Sequence, residues 1–97
     1  MKTITLCGSM RHWPVLQQTA LTLTAEGWCV LTPLNAAEPD ARMKSALSTA
    51  HLRRIDLSDA ICVVAPDRRI GETTAAEIAY ARAHGKTILY RPAIEGS

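Results

Sequence analysis

Residues 60–65 read Ala60-Ile61-Cys62-Val63-Val64-Ala65, and this unbroken apolar run is the strongest indication of the fold class. A strand with one face in water alternates apolar and polar side chains, whereas a strand covered on both faces is apolar throughout. The run therefore predicts a strand of a parallel sheet that has helices on both sides.

Three more apolar runs alternate with segments of helical spacing. We predict strands over residues 3–7, 28–32, 60–65 and 86–90, and helices over residues 14–26, 42–58 and 74–84. In the second helix Met43, Leu47 and Ala50 fall on one side. The alternation predicts an α/β fold, namely a doubly wound, flavodoxin- or Rossmann-like three-layer sandwich with a short parallel sheet of four to five strands. The tail, residues 91–97, is expected to be frayed.

Length and charge limit the classes of function. A chain of 97 residues is long enough for a single domain, residues 1–97. A net charge of +2, with neither a basic stripe nor an aromatic platform, argues against a nucleic-acid-binding protein. The sequence contains no secretory signal and no apolar stretch of ~18 residues, so we expect a cytoplasmic protein with no membrane partner.

Cysteine and histidine usage gives two further expectations. Cys7, Cys29 and Cys62 each lie in an apolar run without a CxxC pair, so all three are predicted to be buried, reduced thiols. The three histidines show no metal-ligand spacing, and no metal or cofactor is expected. The segment His51-Leu52-Arg53-Arg54 is interpreted as a solvated helix face.

The candidate site is predicted at one edge of the sheet. Ligands of doubly wound sheets bind beyond the carboxyl ends of the strands. Gly8-Ser9-Met10-Arg11 follows the first strand, and Arg68, Arg69 and Gly71 follow the third. The Gly8–Arg11 segment is either a tight connection or a place where backbone N–H groups and Arg11 meet an anion. It lacks GxGxxG and the P-loop lysine, so dinucleotide or ATP binding is not indicated.

Glu77 has two interpretations that do not exclude each other. Thr74-x-x-Glu77 matches a capping box, in which the glutamate side chain bonds back to the start of the helix. A carboxylate near a helix N-terminus is also kept ionised by the helix dipole. An ionised glutamate can serve as the nucleophile at a glycosidic carbon.

Asp56 and Asp59 lie where the second helix ends and the third strand begins. Either one can be an ordinary turn or surface residue. An aspartate at such an edge can also bind sugar hydroxyls or share a proton with a departing base.

In this order, the motifs resemble those of the nucleoside 2-deoxyribosyltransferase superfamily, which includes the deoxynucleoside 5′-monophosphate N-glycosidases. The resemblance covers residues 3–90 and rests on three stretches: Leu6-Cys7-Gly8-Ser9-Met10-Arg11, Asp56-x-x-Asp59-Ala60 and Gly71…Glu77-Ile78-Ala79-Tyr80-Ala81…Gly85-Lys86. The last is the most specific, because the family's nucleophile lies in a Glu-Leu-Gly-Tyr-Ala-like stretch. Ala79 departs from the glycine that is usual there.

The resemblance implies cleavage or transfer at the N-glycosidic bond of a nucleoside or its 5′-monophosphate, in a homo-oligomer. Glu77 would be the nucleophile that attacks C1′, and Asp56 the acid that contacts the sugar or base, with Asp59 as the second candidate. The residues expected to contact the substrate are Gly8, Ser9, Arg11, Asp59 and Gly71, with Arg11 at a 5′-phosphate. The alternative is a non-catalytic module that binds or senses nucleotides in the same cleft.

Overall fold

A computed structural model describes residues 1–93 of the chain. The strands are β1 (Thr3–Gly8), β2 (Cys29–Leu31), β3 (Ala60–Val64) and β4 (Thr87–Arg91), and the helices are α1 (Trp13–Ala25), α2 (Ala41–Asp56) and α3 (Glu72–Ala83). A 3₁₀ turn, Met10–His12, precedes α1. The strands form one parallel sheet in the order β2-β1-β3-β4, which confirms the predicted fold class.

The sheet is covered on both faces, as the apolar run predicted. Every residue of β3 is buried. On one face α1 contributes Leu16 and Leu23 to a core with Leu6 of β1. On the other face Ile55 of α2 and Ile78 of α3 pack with alternate residues of β1 and β3. Burying each such side chain stabilises the fold by roughly 1.5–3 kcal/mol.

Most predicted boundaries differ from the observed ones by one or two residues. Helix α3 begins at Glu72, two residues before the predicted start. Arg91 is the last residue of β4 rather than the start of a frayed tail, and its guanidinium lies 3.0 Å from the Glu26 carboxylate. The rest of the predicted tail includes residues 94–97, which lie outside the described residues.

The buried side of α2 also differs from the prediction. Met43 and Ala50 are exposed, whereas His51 and Ile55 are buried. Only the last two turns of α2 face the sheet, so a pattern taken from its first half points outward. The prediction of a solvated His51 is therefore wrong.

None of the helices within residues 1–93 combines the length with the apolar character that crossing a bilayer requires.

Cys7 and Cys62 are buried, as predicted, but Cys29 is exposed. The cause is the strand order, because β2 is an edge strand and its first residue borders solvent. No disulfide joins the three thiols.

We expect a thiol reagent to label one cysteine per native chain quickly, since burial raises the pKa of both Cys7 and Cys62 and blocks access to them. Stopped-flow labelling of the wild type and Cys29→Ser measures this. The fast phase should vanish in Cys29→Ser, and fast labelling of all three thiols would contradict the described core.

Candidate active site

Two adjoining cavities open where β1 and β3 end and α3 begins. Gly8, Ser9, Arg11, Arg69 and Gly71 help to line the first, of about 490 Å³, which we call the anion cleft. Four of these are among the predicted substrate-contacting residues. The structure thus brings together the segments that follow β1 and β3, as expected for parallel strands.

The second cavity, of about 290 Å³, contains Glu77 and His51 in its wall, with Lys44 and Leu47 from α2. We call it the Glu77 cavity. Gly8, like Met10 and Thr73, lines both cavities. One ligand can therefore extend from the anion cleft to the Glu77 carboxylate.

Glu77 lies in the second turn of α3 and its side chain is only 14% exposed. Burial raises the pKa of its carboxyl to about 7. A hydrogen bond from the Cys7 thiol acts in the opposite direction and has the smaller effect. A carboxylate loses stabilisation when water is removed. Near neutral pH Glu77 is therefore poised between its acid and its poorly solvated anion.

The capping-box interpretation of Glu77 is wrong. The N-cap of α3 is Gly71, and the first helical hydrogen bond runs from the Ala75 N–H to the Gly71 carbonyl. Thr74 is consequently the third residue of the helix, and it is buried. Glu77 lies one turn beyond the cap and its carboxylate faces His51.

His51 and Cys7 belong to the site although neither was predicted there from the sequence. The His51 Nε2 lies 3.6 Å from the Cys7 Sγ and 3.9 Å from a Glu77 oxygen. Burial, and secondly the nearby Arg54, lower the pKa of His51 to about 4. At neutral pH His51 is uncharged, so its contact with Glu77 is not an ion pair. The available signal was the four-residue spacing of Leu47, His51 and Ile55, which is one helix face.

Cys7 completes this cluster at the end of β1. The thiol is fully buried, and burial together with the neighbouring Glu77 carboxylate raises its pKa far above the ordinary value. Cys7 is therefore a neutral thiol in the protein as described, and it can donate its S–H to Glu77.

Asp56 and Asp59 lie at the opposite end of the sheet. The Asp59 carboxylate accepts a hydrogen bond from the Thr3 N–H at 2.8 Å, where β1 begins. Asp56, at the end of α2, accepts one from the Tyr80 hydroxyl at 2.6 Å. Neither aspartate lines the anion cleft or the Glu77 cavity. The structure therefore does not bring them together with the other predicted site residues, because the turn between α2 and β3 is at the amino end of the strands.

Arg11 lies at the mouth of the anion cleft. Its guanidinium is 56% exposed and bonds the Asp67 carboxylate at 2.7 Å. The backbone N–H of Arg69, and then Arg11, lower the pKa of Asp67. An exposed ion pair of this kind is weak, so Arg11 stays available to an anion in the cleft.

The pH dependence of stability should reveal the buried Glu77. A raised folded-state pKa gives stability that is present below about 4.5 and is lost as pH rises through about 7. At pH 8 we therefore expect the free energy of unfolding of Glu77→Gln to exceed that of the wild type by on the order of 2 kcal/mol. Denaturant titrations of the two proteins measure this difference. A difference that does not change between pH 4.5 and pH 8 would contradict the burial of the charge.

The chain has the same fold as two solved structures. The chain is similar to a 2-deoxyribosyltransferase from Bacillus psychrosaccharolyticus, with a TM-score of 0.76, 18% identity, and coverage of 91% of this chain and 70% of that one. It is also similar to a 2-deoxyribosyltransferase from Leishmania mexicana, with a TM-score of 0.72, 20% identity, and coverage of 93% and 63%. At this identity the likeness shows a shared fold.

No protein-family model matches the sequence, and none of the curated proteins matches it.

Proposed function

We propose that this protein cleaves the N-glycosidic bond of a 2-deoxynucleoside or its 5′-monophosphate, or transfers the sugar to another base, with Glu77 as the nucleophile. The observation that carries the proposal is a buried carboxylate with a pKa of about 7 beside an anion cleft. The fold, which two 2-deoxyribosyltransferases share, supports it.

The chemistry follows from the position of Glu77. Its ionised carboxylate attacks C1′ of the sugar while the C1′–N bond to the base breaks through an oxocarbenium-like transition state. A second nucleophile then attacks C1′ and displaces the Glu77 oxygen, which regenerates the carboxylate and retains the configuration at C1′. Water as the second nucleophile gives a hydrolase, and a free nucleobase gives a transferase.

Low solvation makes Glu77 suited to this role. An anion whose side chain is only 14% exposed has little water to displace before it attacks. His51 and Cys7 contact the nucleophile and fix the position of its carboxylate. Asp56 takes no part in the proposed reaction. Its carboxylate is hydrogen-bonded to Tyr80 and lines neither cavity.

The anion cleft is suited to a 5′-phosphate. The first turn of α3 lines it, and the first N–H groups of a helix have no partners within the helix. Arg11 and Arg69 also line the cleft and add positive charge, whereas Glu72 adds one negative charge to the same lining. A phosphate bound here would leave the sugar facing the Glu77 cavity.

Arg11→Ala should raise the KM for a deoxynucleoside 5′-monophosphate by about tenfold, since it loses a charged hydrogen bond worth roughly 1.5 kcal/mol. The KM for the unphosphorylated nucleoside should stay within about twofold. Steady-state assays with the two substrates measure the ratio, and Asp67→Asn, which frees Arg11, is the matched control. An equal loss with both substrates would contradict a phosphate role for Arg11.

The proposed function is tested by incubating the protein with a panel of nucleosides and 5′-monophosphates. Free base is measured by chromatography, and ligand binding by calorimetry. Base release by the wild type but not by Glu77→Gln supports the proposal. Binding without base release would favour the alternative, a non-catalytic module that binds or senses nucleotides in the same cleft. A homo-oligomer and a cytoplasmic location stay predictions of the sequence.

A further inference from the structure

Three metal-ligating side chains from three different elements meet at the Glu77 cavity. They are Cys7 at the end of β1, His51 on α2 and Glu77 on α3. The Cys7 Sγ and the His51 Nε2 are 3.6 Å apart, the His51 Nε2 and a Glu77 oxygen are 3.9 Å apart, and all three donor atoms lie within 4.8 Å of one another. In the proposed reaction His51 and Cys7 only position the Glu77 carboxylate, and that role does not in itself require two metal-ligating groups.

We infer that Cys7, His51 and Glu77 form a binding site for a divalent cation that prefers thiolate and imidazole ligands, of the Zn²⁺ class. This set contains one sulfur, one nitrogen and one oxygen donor, all of which Zn²⁺ accepts. With metal–ligand distances of ~2.0–2.3 Å, two tetrahedral ligands lie about 3.5 Å apart. The Cys7–His51 separation already matches this spacing, and a small rotation of the Glu77 side chain supplies the third ligand.

The position of the cluster leaves room for a fourth ligand. His51 and Glu77 line a cavity of about 290 Å³, so water can occupy the remaining tetrahedral position. Three protein ligands with an open fourth position are typical of catalytic zinc sites, whereas structural sites are closed by four protein ligands. The core packing of Cys7 and Ile55 around the cluster does not depend on a metal, so the chain is expected to fold without one.

Binding rearranges the protons of the cluster. The Cys7 thiol loses its proton to solvent and binds as thiolate, and Glu77 binds as carboxylate. The Nη1 of Arg54 lies 3.4 Å from the His51 Nδ1, and a guanidinium can only donate, so the ring proton lies on Nε2 in the metal-free protein. On binding, that proton moves to Nδ1, Nε2 coordinates the cation, and Arg54 turns toward solvent.

This site has a consequence that rests on the proposed function. A cation held by Glu77 occupies the carboxylate that attacks C1′, so metal binding and base release exclude each other. A chelator should then restore base release that Zn²⁺ has inhibited. The binding itself is independent of catalysis, and it is tested without an activity assay.

The test is a titration of the full chain with Co²⁺, a spectroscopic substitute for Zn²⁺, followed by displacement with Zn²⁺. We expect a thiolate-to-cobalt charge-transfer band in the near ultraviolet and tetrahedral visible bands in the wild type. Cys7→Ser should lose the charge-transfer band. His51→Gln should weaken binding by roughly 100-fold or more, above the 10- to 100-fold that an outer-shell partner contributes.

Cys29→Ser is the matched control, because it removes an exposed thiol and leaves the cluster intact. It should give the wild-type spectrum. The inference is overturned if the wild type gives no charge-transfer band, if Cys29→Ser loses it, or if folded Cys7→Ser keeps it. If circular dichroism shows that Cys7→Ser is unfolded, the Co²⁺ affinity of His51→Gln is the deciding measurement. A wild-type Co²⁺ affinity in His51→Gln would overturn the inferred site. Failure of base release with an intact cobalt spectrum would count against the proposed function alone.

Discussion

Glu77→Gln is expected to fold, to bind a deoxynucleoside 5′-monophosphate, and to release base at least about 10³-fold more slowly than the wild type. The amide keeps the shape of the carboxyl but cannot form the glycosyl ester at C1′. Steady-state kcat for base release measures the loss, and calorimetric titration with the same nucleotide shows that binding survives.

Asp56→Asn is the matched control for that variant. It also replaces a carboxylate with an amide, but at a residue that the Tyr80 hydroxyl holds away from both cavities. Base release should stay within a few-fold of the wild type. If Asp56→Asn loses as much activity as Glu77→Gln, the acid predicted from the family resemblance takes part in the reaction after all.

Gly8→Ala is expected to damage both the fold and the site. A Cβ at this position would lie 2.7 Å from the Val64 carbonyl oxygen and 3.4 Å from a Leu16 methyl. Since the close neighbour is backbone of β3, the ends of β1 and β3 must move apart, at a cost of roughly 1–3 kcal/mol. Gly8 lines both cavities, so base release should also fall. Urea denaturation and kcat/KM measure the two effects.

Gly71→Ala controls for the loss of glycine itself. A Cβ at Gly71 meets nothing within 4 Å, and the backbone φ of −75° suits any residue. The weaker N-cap and the reduced freedom of the unfolded chain are small effects of opposite sign, so stability should change by less than about 0.5 kcal/mol. A similar stability loss in both variants would show that the Val64 contact is not the cause.

The fold was predictable because its deciding signals are local. The apolar run of β3 states that both faces are covered, and the alternation of strands with helical spacing predicts the parallel connections. The prediction that Cys29 is buried was wrong, because burial depends on strand order. The sequence does not specify which strand lies at the edge of the sheet. In the structure this strand is β2.

The site was predictable only in part, for a related reason. Gly8, Arg11 and Glu77 follow or neighbour the carboxyl ends of strands, so topology alone brings them together. The contact of His51 with Cys7 joins residues 44 positions apart, and it depends on how α2 is rotated about its axis. Asp56 and Asp59 were expected at the site from family order along the chain. Their place between α2 and β3 assigns them to the other end of the sheet.

Trapping the glycosyl-enzyme shows directly whether Glu77 attacks C1′. The protein is incubated with a 2′-fluoro-arabinosyl nucleoside 5′-monophosphate, whose fluorine slows breakdown of a glycosyl ester, and is then quenched in acid. Peptide mass spectrometry should find the fluorosugar phosphate on Glu77, with one equivalent of base released. Base release with the adduct on another residue, or with no adduct, would show that Glu77 is not the nucleophile.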